Sequence, residues 1–191
     1  MGEFRFVAPK NWNLDPYHAN SIHLVGMDGI PWPCRIAVSE PAEFEVNREF
    51  SVTRNHDDSA RVYTIFDFSS RGEQLICTGT LPVCETPYHL LIELARGTLN
   101  RLRNQVSIWG EGGLNVDPVI GKQIQAATEL LGESVFCKDV QQTNELARES
   151  IEKSMDAIFA LAQTFSRQIA DFRNQHQDLP KFWIANNVGS G

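Results

Sequence analysis

The sequence predicts an α+β chain, an N-terminal antiparallel β-sandwich of jelly-roll type followed by a three-helix region. Three observations carry this expectation. Short apolar runs alternate at period two through the first 86 residues, turn residues separate those runs, and after Thr86-Pro87 the apolar period becomes helical. The expected organisation is therefore 1–86 as β-sandwich, with the character of a carbohydrate-binding module, and 87–178 as helical bundle. Residues 179–191 read as a linker or as the first strand of a further domain.

In the first half, Phe44, Val46, Phe50 and Val52 fall mostly at even spacing. Val62, Thr64, Phe66 and Phe68 do the same, while Tyr63 and Ile65 point the other way. Leu75-Ile76-Cys77 leads into Gly79-Thr80-Leu81 as a further strand candidate. Between the runs lie Met27-Asp28-Gly29, Asn55-His56-Asp57-Asp58-Ser59 and Ser69-Ser70-Arg71-Gly72, all rich in turn formers. This spacing suits roughly six to eight strands. The order of the strands is not encoded in the alternation.

From Tyr88 to Trp109, Leu91, Ala95, Thr98, Leu102 and Trp109 form one helical stripe, ended by Gly110-Glu111-Gly112-Gly113. Asp117-Pro118 is a start signal for a second helix carrying Ile120, Ile124, Ala127 and Leu131. A third helix carries Ile151, Met155, Ile158, Ala162, Phe165, Ile169 and Phe172 at alternating spacings of four and three. Glutamates at its start and arginines near its end suit the helix dipole. Its stripe reads as the core of a bundle rather than as a dimerisation seam, and Phe159 and Leu161 off the stripe are available to the β-half. Asp178-Leu179-Pro180 stops this helix, and Lys181 to Ala185 reads as a new strand without a partner in the chain.

Composition narrows the function classes. A chain of 191 residues can bury a core without staples. The net charge of -7, with Lys and Arg scattered, argues against nucleic acid, which needs a basic face. No apolar run approaches the roughly 18 residues of a membrane span. The N-terminus lacks the features of a signal peptide and of a myristoylation site, so a cytoplasmic setting is the default. Cys34, Cys77, Cys84 and Cys137 lack metal-knuckle spacing and read as buried free thiols, with a Cys77–Cys84 contact across a hairpin as the alternative.

No nucleophile elbow, P-loop, His-Glu-x-x-His or dinucleotide fingerprint occurs. His18, His23, His56, His89 and His176 are dispersed, with no pair at i, i+4 that would suit a metal. Asp57-Asp58 reads as a solvated turn. The expectation is a chain without a catalytic site, cofactor or metal of its own.

Two clusters invite a binding role. In Asp28-Gly29-Ile30-Pro31-Trp32-Pro33-Cys34-Arg35, Trp32 is held between prolines, either as a stacking platform for a sugar ring or as a plug at the end of the β-core. Arg35 follows it. In the segment Glu93 to Gln105, Arg96, Asn100, Arg103 and Asn104 share one polar helical face, and Glu93 is placed to pair with Arg96. Gly97 inside this helix implies a close backbone approach, because Gly there costs about 1 kcal/mol relative to Ala.

These same residues carry a likeness. Met27-Asp28-Gly29-Ile30-Pro31-Trp32 with its following Arg, Pro87-Tyr88-His89-Leu90 leading into Glu93-Leu94-Ala95-Arg96-Gly97, and Arg101-Leu102-Arg103-Asn104-Gln105 with Trp109 form the pattern. It resembles the region preceding the catalytic barrel in planctomycete-type proteins related to glycoside hydrolase family ten, the xylanase-like family. The likeness spans most of the chain and is strongest from Gly26 to Trp109. It implies a non-catalytic accessory role, since the family's two catalytic glutamates stand on barrel strands and map onto no residue here. The expected partners are a polysaccharide or oligosaccharide and a downstream catalytic domain, with a homodimer left open. The alternative is a structural or interaction module without a ligand, and an enzyme with an unfamiliar site is a third reading.

Overall fold

The structure is a computed structural model and describes residues 2–39 and 46–175. In chain order its elements are β1 (Gly2–Pro9), α1 (Pro16–Asn20), β2 (His23–Gly26), β3 (Pro31–Trp32), β4 (Arg35–Val38), β5 (Asn47–Arg54), β6 (Ala60–Phe68), β7 (Gly72–Cys77), β8 (Tyr88–His89), α2 (Leu90–Glu111), α3 (Pro118–Phe136) and α4 (Val140–Gln175). The fold is thus mixed α+β, with two four-stranded sheets, ordered β4-β5-β1-β8 and β3-β2-β6-β7.

Alternation becomes burial directly. Phe4, Phe6 and Ala8 of β1, Phe50 and Val52 of β5, and Val62, Thr64, Phe66 and Phe68 of β6 are buried, and their neighbours in each strand are not. The two sheets contribute these residues to one hydrophobic cluster, which also takes Leu90, Leu91, Leu94 and Ala95 of α2 and Ala147 and Ile151 of α4. The hydrophobic core therefore crosses residue 87. Leu99 and Leu102 of α2, Ile120 and Ala127 of α3, and Ala157 and Leu161 of α4 form a second cluster among the helices. Trp109 stacks on Phe165 beside it, with centroids 4.2 Å apart.

Several sequence expectations change. The N-terminal segment forms a strand, β1, that alternates at period two. The sheets are not wholly antiparallel, because β8 pairs with β1 in parallel, Phe6 opposite Tyr88 and Val7 opposite His89. The chain between β7 and β8 passes from one sheet to the other, and this delivers β8 in the direction of β1. A five-residue helix, α1, precedes the three long ones. Cys77 is buried, but Cys84 is exposed, and all four cysteines are free thiols.

In α4 the buried face is made of Thr143, Ala147, Ser150, Ile151, Ser154, Ala157 and Leu161. At about 100° per residue this face is rotated by roughly 60° from the stripe Ile151 to Phe172, with Ile151 common to both. Small side chains let α4 approach its neighbours closely, and Ser150 Oγ donates to the Ala127 carbonyl of α3 at 2.7 Å. Leu161 joins the helical cluster, whereas Phe159 lies under the Arg71 guanidinium of the β-half, 4.3 Å from the ring centroid. Phe172 is exposed. Phe44, the helix stop at Asp178–Pro180, the strand at Lys181–Ala185 and the segment 179–191 lie outside the described residues.

Candidate functional site

The six residues singled out in the sequence do not converge. Trp32 stands on β3, an edge strand, opposite the buried Leu24, so it shares the core-facing side of its sheet. Its indole lies over Gly26, where an added Cβ would come within 3.0 Å of Nε1, and its edge meets the His56 ring at 5.0 Å between centroids. About a third of its surface is exposed (36%). Arg35 is exposed on β4 in the other sheet.

The α2 set forms one exposed face, as the spacing predicts: Arg96, Asn100, Arg103 and Asn104 are all exposed. Arg96 Nη1 donates to both oxygens of Glu93, at 2.9 and 3.0 Å. Burial pushes the Glu93 carboxyl upward and the guanidinium opposes it, so Arg96 acts first as the counter-charge of a buried acid. Arg103 Nη2 donates to Thr128 Oγ1 of α3 at 2.6 Å. Gly97 abuts the chain beyond β7, where a Cβ would collide with the Cys77 carbonyl oxygen and the Thr78 backbone. That chain runs along β6, with Thr78 N–H donating to the Val62 carbonyl. Trp32 thus lies three strand spacings, roughly 14 Å, from the backbone on which α2 rests.

A different site emerges where the loop after β1 faces α4. A cavity of about 670 Å³ is lined by residues that include Lys10, Asn11, Trp12, Asn13 and His18, Asp67 and Glu73 of β6 and β7, and Gln141, Asn144, Glu145 and Arg148 of α4. Its apolar wall is Pro9, Val46, Ile65 and Leu91. Trp12 is nearly buried and tilts against Phe66 at 6.0 Å. Arg148 lies over the same Phe66 ring, 4.6 Å from its centroid, and donates to the Asp67 carbonyl at 3.1 Å. Asn144 Nδ2 donates to Asn47 Oδ1 at 3.1 Å, while its own buried Oδ1 accepts nothing among the described residues.

Asp15 caps α1, accepting from the His18 backbone N–H at 2.9 Å. The same Oδ1 lies 2.8 Å from His18 Nδ1, and Glu73 Oε1 lies 2.7 Å from Nε2. The two carboxylates raise the proton affinity of His18, Glu73 most, and the bonds from His18 lower that of Asp15. Asp67 and Glu73 are opposite each other in the β6–β7 register. Like charges so placed repel, and the histidine between Asp15 and Glu73 offsets this.

No local pattern in the sequence marks this cavity, because its residues are spread from position 9 to position 148. One signal was present. Asp15-Pro16 repeats the Asp-Pro start pair of α3, but a five-residue segment shows no helical period. Among the described residues, no group of three or more His, Cys, Asp or Glu could hold a metal ion. No helix among them is long and apolar enough to cross a membrane. No family model, curated protein or solved structure matches this chain.

Proposed function

We propose that the chain is a non-catalytic accessory module of a glycoside-hydrolase-like protein, and that it binds a short oligosaccharide in the cavity between the Lys10–His18 loop and α4. The observation that carries this reading is the lining. Carboxylates, carboxamides, a guanidinium and an indole face one concave space of a size typical of small-molecule sites. Such a set supplies both donors and acceptors to vicinal hydroxyls without requiring a charged ligand. Both ring nitrogens of His18 are engaged by carboxylates, so it has no free nitrogen to act as a base. The description as a jelly-roll-like sandwich with a three-helix region accompanies this reading, since both sheets give one face to the shared cluster.

Calorimetry against soluble xylan, mannan and glucan oligosaccharides tests it. Asp67→Ala removes an exposed carboxylate from the wall and should weaken a hit by roughly 10- to 100-fold, the worth of a charge-assisted hydrogen bond. Trp32→Ala should leave the affinity within twofold. Loss of binding on Trp32→Ala alone would move the site to the β3 edge, and silence across the panel would overturn the carbohydrate reading.

The second reading is an interaction module, docking a catalytic domain or a second copy. It is favoured by the uncovered Arg96–Asn104 face and by Val135, Phe136 and Val140 around the α3–α4 turn, of which Phe136 is 86% exposed. Light scattering and co-expression with a downstream domain would reveal it.

A further inference from the structure

His18 makes a contact pattern that fixes its charge. Carboxylate oxygens only accept, so a proton must lie in the 2.8 Å contact to Asp15 and another in the 2.7 Å contact to Glu73. Carboxylic acids hold their protons only in the acidic range, so while both contacts are made above it, both protons belong to the ring. The Asn13 amide nitrogen, 3.4 Å from Nε2, is too distant to compete with Glu73.

The position of this ring matters mechanically. α1 is far too short to be stable alone and buries none of its residues. Asp15 and Ser21 tie it to itself, Ser21 Oγ donating to the His18 carbonyl at 2.6 Å. The His18–Glu73 bond reaches 55 residues along the chain to β7. We propose that His18 is a proton-operated latch: its imidazolium holds Asp15 and Glu73 together, tying α1 to β7 beside the core-packed Trp12, and loss of one ring proton leaves a single donor for the two carboxylates and loosens α1 and the Asn13–His18 edge of the cavity.

The remaining charged groups of the cavity are Asp67 on β6, Lys10 in the loop, and Glu145 and Arg148 on α4. Arg148 is turned to the Phe66 ring and the Asp67 carbonyl, and the Tyr17 ring meets the imidazole edge-on at 5.2 Å between centroids. The two acids in direct contact therefore dominate the environment of the ring. The sign follows. His18 is raised above its ordinary 6.5, so the latch is fully closed below that pH and is lost as the pH rises through the raised midpoint. Asp15 is lowered below its ordinary 3.8, so its share is present above that pH and is lost as the pH falls through the lowered value.

The ligand-binding consequence rests on the cavity reading, but the latch can be tested without a ligand. Nitrogen-15 spectra of the imidazoles in the whole chain, assigned with His18→Gln, should show His18 titrating above the ordinary 6.5 of an imidazole. Glu73→Gln should move that midpoint down toward the ordinary 6.5. Amide protection over residues 13–20, corrected for intrinsic exchange, should fall by up to about tenfold for each pH unit beyond the midpoint. A His18 that titrates at or below 6.5, or protection indifferent to its midpoint, would overturn the latch. With a glycan hit in hand, affinity should fall across the same midpoint, and an affinity indifferent to it would sever the latch from binding. If no glycan binds, the carbohydrate reading fails, while the ring titration and the amide protection still decide the latch.

Discussion

Gly97 shows how a single position sets two effects against each other. In an exposed helix, Gly→Ala gains about 1 kcal/mol from propensity. Here the new Cβ would strike the Cys77 carbonyl and the Thr78 backbone, and backbone yields less readily than a flexible side chain. Overpacking of this kind costs about 1–3 kcal/mol, and a backbone obstacle puts it at the upper end. Gly97→Ala should therefore lower the unfolding free energy by about 2 kcal/mol in a urea titration. A stabilised variant would mean that α2 does not rest on the 77–79 chain. The close approach at Gly97 was legible in the sequence, because an unfavoured residue in a strong helical pattern demands a reason. The Glu93–Arg96 pair was legible for the same local cause, helical spacing. The burial of Glu93 was not, since it depends on what packs over α2.

Among the elements, α4 shows where periodicity misleads. Its large apolar residues mark a stripe, yet the buried face carries Ala147, Ser150, Ser154 and Ala157. Hydrophobicity identifies a face that prefers to leave water, whereas close helix packing selects residues small enough to admit a neighbour. At the α3–α4 contact the second requirement wins, and the bulky stripe is left half-covered. Ala157→Leu should accordingly cost about 1–3 kcal/mol by overpacking, although it adds hydrophobic surface. Phe172→Ser, on the exposed end of the stripe, should change stability by less than about 0.5 kcal/mol. Thermal unfolding of the two variants distinguishes the observed face from the sequence stripe, which predicts the reverse order. Strands were easier to read. Val62 to Phe68 alternates without exception, because a strand between two neighbours in a sheet has only two directions for its side chains.

Across the whole molecule, the shared cluster decides cooperativity. Phe4, Phe50, Leu24 and Phe66 from the sheets lie in one core with Leu91, Leu94 and Ile151 from the helices, and Leu131 packs against both clusters. The far-UV helical signal and the fluorescence of Trp12 in the β-core, isolated by replacing Trp32, Trp109 and Trp183 with Phe, should unfold at one midpoint. Two separate transitions would show that the β and helical parts fold independently. The sequence by itself determined the α+β class, the switch of period near residue 87, the Asp117-Pro118 helix start and the polar face of α2. Each of these rests on spacing within one element, and the chain's own geometry enforces such spacing. Only the tertiary structure decided the parallel β1–β8 pair, the rotation of α4 and the separation of Trp32 from Arg96. It alone decided the cavity where His18 meets Asp15 and Glu73. These depend on which distant segments become neighbours, and that is settled by the packing of every element at once, which no local period records.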